Sequence, residues 1–444
     1  MYNPFIFKLD SGNSDILSKH QNDNIKTSST INLPLSSLGF HTFIHRTKNA
    51  MSITNNLQSK TKFYYIVNPF EIEIDNYEDS LNNLTKKYLN ITDDKPNILS
   101  HSFYKMWEML FLFNLGDNKE LVYASIEGSN QAFIQAVILF REKLGHGISN
   151  DKIFSIPVNS QKGEYIEMGK QFLGYYNDMH PGLINTKSLK GKKQSDITNI
   201  KNISSFKTEM KKTKQYADLI TADGEFIWDD NNFQEQEGYK LILGEIVCAL
   251  NVQAKDGDFV IKVFESFTMP TIKLIYILSS FYEETYIYKP LFSRPIDSER
   301  YLICKKFKYD WKKDSTALNN KIKSLENSLE EMNTLSFIRD IYPELIIPQS
   351  FIDKIRFINI KITTPQQIMI NEIVKYIKEN NYFGDKYHTF KEAQITATKW
   401  WINNFFPPSK NLLEKNKDDL RKMVEAIINK YNLEENKFTG NLIY

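Results

Sequence analysis

The chain has 444 residues, of which 41% are hydrophobic and 25% are charged, and its formal net charge is +2. This length predicts two or three domains, and the composition excludes a disordered chain and a surface that is basic throughout. No apolar run has the form of a signal peptide or reaches the ~18 residues of a membrane span. We therefore expect a soluble, intracellular and cytoplasmic protein that does not bind membranes.

The first 95 residues predict an N-terminal arm. Residues 1–60 are rich in Asn, Ser and Thr and contain only brief apolar islands, which favours an irregular segment that packs on a partner. Residues 62–67, KFYYIV, predict one short strand because β-branched and aromatic residues follow one another. We therefore treat residues 1–95 as an extension that precedes the main domain.

Residues 96–308 predict a central α/β domain. Apolar side chains on nearly every side of residues 101–115 predict a buried helix. Residues 121–144 change from β-branched and aromatic residues to a period of about 3.6, which predicts a strand, a loop and a helix. Residues 152–158 predict a second short strand, and residues 159–195 predict a loop.

Three further segments predict the core strands of that domain. They are YADLITADGEF (216–226), DFVIKVF (258–264) and KPLFSRPIDSERYLICK (289–305), and each carries an ionisable residue where burial would be costly. Helices are predicted between them, near residues 234–250 and 271–282. This alternation of strands and helices favours a parallel sheet with a site at the strand ends.

Residues 309–444 predict a mostly helical region. Apolar residues from Leu318 to Ile338 recur every three or four positions over about three heptads, which favours a hairpin or a helix that binds a protein partner. The aromatic cluster in KWWINNFFPPSK (399–410) favours a packed core over a platform for RNA bases.

Four ionisable residues of the central domain are the candidates for chemistry. They are Lys105, Asp223, Lys262 and Glu299. A lysine buried alone costs roughly several kcal/mol unless it is paired or neutralised. Each residue has an ordinary alternative. Lys105 can reach solvent along the apolar surface of a buried helix, and Lys262 can reach solvent from an edge strand. Asp223 can belong to an Asp-Gly turn, and Glu299 can form a surface ion pair with Arg300 or Arg294. The order and context of the four residues are what favour a site.

Other kinds of site find little support in the sequence. Cys248 and Cys304 fall in a predicted helix and a predicted strand, which favours buried free thiols in a reducing compartment. Neither these cysteines nor His146 has metal-ligand spacing, so we expect no metal site. The sequence has no Gly-rich loop followed by Lys-Ser or Lys-Thr, which argues against an NTPase.

Six segments between Ser102 and Lys305 carry a resemblance to one enzyme family. The segments are SFYKMWEML, SDIT followed by NISSF, DLITADGEF, FQEQEGYKLILGEIVCAL, GDFVIKVFESF and KPLFSRPIDSERYLICK. Together they resemble the FtsJ-like ribose 2′-O-methyltransferases, especially the cap-specific mRNA nucleoside enzymes and their relatives in large cytoplasmic DNA viruses. The resemblance implies a Rossmann-like methyltransferase sheet, S-adenosylmethionine (AdoMet) as the cofactor and RNA with a capped 5′ end as the partner. For a viral enzyme it also implies the host cytoplasm or the virion.

The same resemblance implies particular site residues. A Lys-Asp-Lys-Glu tetrad would consist of Lys105, Asp223, Lys262 and Glu299. The residues that bind the cofactor would be Glu127, Gly128, Ser129, Phe133, Asp196, Ile197 and Asp223. Within that set, Asp196 and Ile197 would lie along the adenine of AdoMet.

The chemistry implied by the family explains why a lysine is needed. A ribose 2′-hydroxyl is a poor nucleophile, and a neutral amine can orient it and accept its proton. An unperturbed lysine, with a pKa of about 10.4, is charged at neutral pH. We expect Lys262 to be the base or the orienting group. Asp223 would position Lys262 and the methyl group, while Lys105 and Glu299 tune and align the set.

The segment 126–133, IEGSNQAF, departs from the family. Relatives have a glycine-rich turn here that lets the backbone approach the cofactor, whereas this segment has one glycine and about two extra residues. Either the longer loop reaches the cofactor by another path, or cofactor binding is weak or lost. The second alternative would make the chain a non-catalytic RNA-binding or scaffold subunit.

A basic tract next to the proposed site could track RNA phosphates. It comprises Lys187, Lys190, Lys192, Lys193, Lys201, Lys207, Lys211, Lys212 and Lys214. Residues 195–212, within this tract, predict a turn followed by a helix, and lysines on a solvated helix face are the ordinary alternative. The same chemistry on ribosomal RNA remains a further alternative to capped mRNA.

Overall fold

The computed structural model describes residues 2–19, 24–34, 38–57, 63–126, 131–156, 164–185, 196–213, 215–224, 230, 232–332 and 336–440. The strands within these residues are β1 (Phe5–Leu9), β2 (Ile25–Ser28), β3 (Val122–Ile126), β4 (Lys152–Ile156), β5 (Ile184–Asn185), β6 (Ala217–Ala222), β7 (Gln253–Val263), β8 (Tyr282–Lys289), β9 (Arg300–Phe307) and β10 (Phe337–Ile341).

Helices surround these strands in chain order. They are α1 (Leu38–Asn49), α2 (Leu81–Tyr88), α3 (Ser102–Phe113), α4 (Ala132–Leu144), α5 (Glu164–Met179), α6 (Ile200–Lys212), α7 (Gln234–Glu237), α8 (Tyr239–Val252), α9 (Met269–Ser279), α10 (Ser315–Glu331), α11 (Gln349–Lys378), α12 (Asp385–Phe405) and α13 (Lys410–Gly440). Short 3-10 helices cover Asp15–Ser18, Ala50–Asn56, Phe63–Val67 and Ile148–Asn150.

Within the described residues, an eight-stranded sheet has the order β1-β8-β9-β7-β6-β3-β4-β5. The strands from β7 to β5 are parallel, with helices on the connections, so the fold is α/β and Rossmann-like. The three core segments were expected to form parallel strands, and this was wrong for the third, because β9 runs antiparallel between β7 and β8. No helix joins β8 to β9, and a short segment without a crossover helix can only return the chain antiparallel.

The antiparallel strand β9 brings its own start to the carboxyl edge of the parallel strands. Val263, the last residue of β7, pairs with Arg300, the first residue of β9. Residues that precede β9 therefore lie beside residues that end β6 and β7. This is how Glu299, from an antiparallel strand, reaches the same edge as Asp223 and Lys262.

The sequence had predicted an irregular arm at the start of the chain, but the first residues form regular structure. Phe5–Leu9 is the strand β1, which pairs antiparallel with β8 from Phe5↔Lys289 to Leu9↔Thr285. Ile6, Phe7 and Leu9 are buried in the core. The apolar island FIFKL is stable as a strand because it completes an existing sheet, a partner that its local sequence does not reveal. Whether residues 96–308 fold by themselves stays a prediction.

Two segments that were predicted as a strand and a loop contain helices. Phe63–Val67 is a 3-10 helix and not a strand. The rings of Tyr64 and Tyr65 lie 4.2 Å apart on one side of the chain, whereas successive side chains of a strand point to opposite faces. Within residues 159–195, predicted as a loop, Glu164–Met179 is a helix, and its buried Phe172 and Tyr176 have the i, i+4 spacing of one helix face.

The C-terminal helices pack on the central domain. Trp401 and Phe405 are fully buried, as predicted for this aromatic cluster, and the Trp401 indole donates to the Glu108 carboxylate of α3 at 2.9 Å. The Trp107 indole of α3 donates in return to the Phe405 carbonyl at 3.0 Å. The apolar spacing had predicted that Ile338 lies on a helix. This was wrong, because Ile338 lies in strand β10, which pairs with β2.

The two cysteines of the chain, Cys248 and Cys304, are buried free thiols. The described residues contain no group of three His, Cys, Asp or Glu side chains that could hold a metal ion. None of the helices in the described ranges has the length and apolar character needed to cross a membrane.

Candidate active site

A cavity of about 430 Å³ lies where β6, β7 and the start of β9 meet. Its walls include the four residues that the sequence had singled out: Lys105, Asp223, Lys262 and Glu299. Three of these positions come from the sheet edge and one comes from helix α3. The structure therefore brings together residues that are as many as 194 positions apart in the chain.

Lys262 and Asp223 form a buried ion pair. Asp223 follows the last residue of β6, and the parallel register pairs Ala222 with Ile261, which places Asp223 beside Lys262 on the next strand. The Lys262 Nζ lies 3.1 Å from Asp223 Oδ1 and 3.4 Å from the Asp223 carbonyl oxygen. The Tyr301 hydroxyl, on the strand position that pairs with Lys262, donates to Asp223 Oδ1 at 3.3 Å. The Lys262 amine is therefore held at a fixed point of the cavity wall.

Lys105 and Glu299 form a second ion pair in the cavity wall. Lys105 belongs to the first turns of α3, a helix whose other side chains are almost all buried. Glu299 immediately precedes β9, and the two charged side chains are 11% and 13% exposed. Apolar packing of α3 fixes the helix, so that its one lysine points at the sheet edge.

The two carboxylates of the tetrad have opposite electrostatic environments. Burial raises the pKa of Asp223, and Lys262 and Lys105 offset that increase only in part. Burial would also raise the pKa of Glu299, but Lys105, Lys289 and Lys262 together bring it well below its usual range. Glu299 is therefore a firmly ionised carboxylate, and Asp223 depends on Lys262 for its charge.

A second group of charged side chains, beside the tetrad, was not predicted from the sequence. Lys48 of α1 lines the cavity and forms an ion pair with Glu265, and the Ser298 hydroxyl donates to the same carboxylate at 2.5 Å. Burial would raise the pKa of Glu265, but Lys48, Ser298 and Arg300 lower it to about 2. Glu265 lies three residues after Lys262, which was an available signal, whereas nothing in the N-terminal sequence connects Lys48 to this site.

Comparison with known proteins adds a family to this geometry. Residues 166–307 match the family model of the FtsJ-like methyltransferases. This part of the chain is thus similar to the FtsJ-like methyltransferases. The matched residues contain Asp223, Lys262 and Glu299, while Lys105 lies before them.

Curated relatives match about a third of this chain. The mouse (Mus musculus) protein named cap-specific mRNA (nucleoside-2′-O-)-methyltransferase 1 is 33% identical over 144 residues, which are 31% of this chain and 17% of that protein. The zebrafish (Danio rerio) protein of the same name is 37% identical over 116 residues, 26% of this chain and 14% of that protein. A Drosophila melanogaster cap-specific mRNA (nucleoside-2′-O-)-methyltransferase 2 is 29% identical over 136 residues, 30% of this chain and 19% of that protein. This chain thus spans less than a fifth of the length of these relatives.

A solved structure also aligns with the chain. It is a Plasmodium falciparum protein assigned as a ribosomal RNA methyltransferase, and the alignment covers 47% of this chain and 97% of that chain. Its sequence identity is 17% and its TM-score is 0.34. At that level the alignment adds nothing about the substrate.

The structure describes only some of the residues expected to bind the cofactor. Glu127, Gly128 and Ser129 lie outside the described residues. Phe133 is buried at the start of α4, with its ring 6.0 Å from the ring of Tyr301. It is not among the described residues that line the cavity of the tetrad.

Asp196 and Ile197 lie in the turn before α6. The Asp196 Oδ1 accepts hydrogen bonds from the Thr198 amide at 2.9 Å and from its hydroxyl at 2.6 Å. Ile197 is fully buried, and a Cβ added to Gly244 of α8 would lie 2.6 Å from its carbonyl oxygen. Glycine at position 244 thus allows α8 to approach this turn. Neither Asp196 nor Ile197 is among the described residues of the tetrad cavity.

The basic tract is partly engaged within the protein. Lys187, Lys190, Lys192, Lys193 and Lys214 lie outside the described residues. The Lys207 amine donates to Asn251 Oδ1 at 2.5 Å and lies 4.8 Å from the centre of the Trp311 ring. Lys212 pairs with Glu209 on the same helix, while Lys201 and Lys211 are exposed. The described lysines therefore offer few cations to an RNA backbone.

A second cavity, of about 440 Å³, adjoins the first. His101 lines this cavity and its neighbour Ser102 lines the first, so the two share a wall at the start of α3. Tyr65 and Phe63 supply aromatic faces, and Arg294 contacts the Tyr65 ring at 4.0 Å.

The second cavity is acidic. Its walls carry the carboxylates of Glu71, Glu73 and Asp75. Arg294 neutralises Glu71 through contacts of 2.7 Å and 3.2 Å, and burial lowers the pKa of His101, so this ring adds little positive charge at neutral pH. Aromatic faces and carboxylates together favour a flat, cationic ligand with N–H donors.

Proposed function

We propose that this chain is an AdoMet-dependent RNA ribose 2′-O-methyltransferase. The observation that carries the proposal is the lysine amine of Lys262, held 3.1 Å from Asp223 in a cavity that also contains the ion pair of Lys105 and Glu299. A fixed amine in a partly closed cavity is what a weak hydroxyl nucleophile requires, because it both orients the hydroxyl and receives its proton. Similarity to a methyltransferase family supports the same proposal.

AdoMet fits the charges of the described cavity. A sulfonium cation needs negative charge nearby, and the carboxylates of Asp223 and Glu299 lie on the cavity wall. We assign Asp223, together with the turn that contains Asp196 and Ile197 and with Phe133, to holding the cofactor. When bound, AdoMet supplies an electrophilic methyl group.

Lys262 carries the proton in the proposed mechanism. Its amine would orient the ribose 2′-hydroxyl and accept the hydroxyl proton, while the methyl group would pass from the sulfonium sulfur to the 2′-oxygen and leave the thioether S-adenosylhomocysteine. An unperturbed lysine is an ammonium at neutral pH, so Lys262 must release one proton before it can accept another. Asp223 keeps the amine in place, and Glu299 holds Lys105 in the wall of the same cavity, where its positive charge opposes that of Lys262.

The second cavity supports the 5′ end of a capped mRNA as the substrate. An N7-methylated guanine is flat and cationic, and one of its edges carries N–H donors. Those properties match the aromatic faces of Phe63 and Tyr65 and the carboxylates of Glu73 and Asp75. Because the two cavities share a wall, a base in one would leave a nearby ribose within reach of the other. The curated relatives are named as cap-specific mRNA enzymes, which supports the same substrate.

The proposal is tested by transfer of a tritium-labelled methyl group from AdoMet to short capped and uncapped RNAs, followed by nuclease mapping. We expect label on a 2′-oxygen close to the cap and no transfer by Lys262→Ala. Transfer by purified Lys262→Ala at the wild-type rate would refute the mechanism. Preference for a ribosomal RNA fragment would refute the cap assignment. Absence of AdoMet binding in calorimetry would instead favour a non-catalytic RNA-binding subunit, the alternative suggested by the single glycine of residues 126–133.

A further inference from the structure

Lys289 is a buried lysine whose hydrogen bonds all go to one segment. It is the last residue of β8 and is 5% exposed. Its amine donates to the Ser293 hydroxyl at 2.7 Å, the Asp297 carbonyl at 2.6 Å and the Glu299 carbonyl at 2.9 Å. An ammonium has three donors, so each of its N–H groups has an acceptor.

These three acceptors belong to residues 290–299, which we call the β8–β9 segment. The last four residues of this segment form part of the wall of the tetrad cavity. A segment without regular structure has no ladder of hydrogen bonds to fix its carbonyl groups. Lys289 supplies that constraint through its hydrogen bonds to Ser293, Asp297 and Glu299.

Glu299 is fixed at both of its ends by lysines. Its carboxylate pairs with Lys105, and its main-chain carbonyl accepts from Lys289. The next residue, Arg300, starts β9 opposite Val263. The position of the Glu299 carboxylate relative to Lys262 therefore depends on the Lys289 amine.

Lys289 itself does not face the proposed reaction. It is absent from the described residues that line the tetrad cavity. Instead it lines a separate, apolar cavity of about 170 Å³, together with Pro290 and Pro295 of the β8–β9 segment. Any effect of Lys289 on methyl transfer must therefore pass through the segment.

We propose that Lys289 is a positioning residue, which holds the β8–β9 segment so that the Glu299 carboxylate meets Lys105 at the site of methyl transfer. This inference rests on the proposed function. The protonation state of Lys289 is consistent with it: burial lowers the pKa of Lys289 to about 8, against the opposing effect of Glu299 and Asp297. At neutral pH the amine is thus mostly charged, and it has all three donors.

The substitution Lys289→Met tests the proposal, because it keeps the length of the side chain and removes the donors. We expect kcat for methyl transfer to fall at least about tenfold while KM for AdoMet and for RNA changes little. A matched control is Lys273→Met, since Lys273 is also 5% exposed and donates to the Tyr342 carbonyl at 3.0 Å, which does not belong to the β8–β9 segment. Lys273→Met should keep its kcat. Equal losses of kcat in both variants would mean that any buried lysine has this effect, and would overturn the proposal.

A double-mutant cycle separates positioning from a general loss of structure. If Lys289 acts through Glu299, then adding Lys289→Met to Glu299→Gln should slow the single Glu299→Gln variant by less than about twofold. If the two losses multiply, Lys289 acts independently of Glu299 and the proposal is wrong.

Amide hydrogen exchange tests the clamp without any methyl transfer. In the wild type the Asp297 amide donates to the Arg294 carbonyl at 3.0 Å, so its exchange reports on the segment. Lys289→Met should speed exchange across residues 291–299, and Lys273→Met should leave it unchanged. Unchanged exchange in Lys289→Met would overturn the clamp. If Lys289→Met speeds amide exchange but the wild type methylates no RNA, Lys289 still fixes the segment. The proposed function is then wrong, and so is the role of Lys289 in methyl transfer.

Discussion

The Lys262 amine lies 3.1 Å from the Asp223 carboxylate, across two parallel strands whose register pairs Ile261 with Ala222. Asp223→Asn keeps the size of this side chain and removes its charge. We expect kcat for methyl transfer to fall about 100-fold, because the amine loses the group that fixes its position and small displacements have effects of that size. Tritium transfer to capped RNA measures this effect.

The control for that substitution lies on the same strand. Asp218 is on β6, and its Oδ2 accepts from the Val122 amide at 2.9 Å. Asp218→Asn keeps an acceptor oxygen at that place and should leave kcat unchanged. If the Asp218→Asn and Asp223→Asn variants lost activity equally, the loss would reflect damage to strand β6. It would not show that Asp223 fixes the position of the Lys262 amine.

Lys48→Met should destabilise the fold in a pH-dependent way. Glu265 has an ordinary pKa of 4.5, and Lys48, Ser298 and Arg300 overcome burial to lower it to about 2. Because the folded pKa lies below the unfolded value, the stabilisation is present above pH 4.5 and is lost as the pH falls towards 2. Removing one partner of a buried pair costs about 3 kcal/mol, and the side chains here are 12% and 2% exposed.

The measurement is urea unfolding of wild type and Lys48→Met at pH 6.5 and at pH 3. The difference in unfolding free energy should be largest at pH 6.5 and smaller at pH 3. Lys8→Met is the control, because the pair of Lys8 with Glu284 is 44% and 34% exposed and such surface pairs contribute below about 1 kcal/mol. A Lys48→Met effect that did not shrink at pH 3 would contradict the ionic origin of this stabilisation.

Two neighbouring tryptophans should differ in their effect on stability. Trp401 is fully buried and its ring stacks on Phe405 at 4.9 Å, whereas Trp400 is only partly buried. Trp401→Ala should reduce the unfolding free energy by about 3–5 kcal/mol, the cost of a large cavity. Trp400→Ala should cost less, and thermal unfolding of the two variants compares them. Similar losses would mean that the C-terminal helices do not depend on the contact of Trp401 with α3.

Removing a charge from the second cavity should affect capped RNA selectively. Glu73 is exposed on that cavity wall, and Glu73→Gln keeps an oxygen that can accept from Asn82, as Glu73 does at 2.7 Å. We expect KM for capped RNA to rise about tenfold, the equivalent of roughly 1.4 kcal/mol, with KM for uncapped RNA unchanged. Asp79→Asn, an exposed acid outside this cavity, is the control. Equal changes in KM for both RNAs would exclude this cavity as the cap site.

The parts of the fold that were predicted correctly have local signals. Apolar runs marked α3, β3, β6 and α8, and a period of about 3.6 residues marked α4. The ranges of these elements agree with the expected segments to within a few residues. The four tetrad positions were chosen because an ionisable residue in or beside an apolar run is unusual. The structure places those four side chains around one cavity.

The parts that were missed depend on contacts between distant residues. Nothing near Phe5–Leu9 indicates that its partner is β8, and nothing near Lys48 indicates Glu265. The strand direction of β9 follows from the absence of a crossover helix, which the sequence analysis had not weighed. The segment KFYYIV had a strand composition, but the packing of Tyr65 on Arg294 favours a tight helical turn there. Composition sets a preference, and tertiary contacts override it.

Strand β1 has a consequence for how the polypeptide is made. Its register joins Phe5 to Lys289, so a ribosome must synthesise nearly three hundred residues before this early strand finds its neighbour. Until then its apolar side chains are exposed to other nascent chains, a state that invites aggregation. Pairing over such a separation is also slow, and we therefore expect chaperone capture of this strand during translation to limit the yield of native protein.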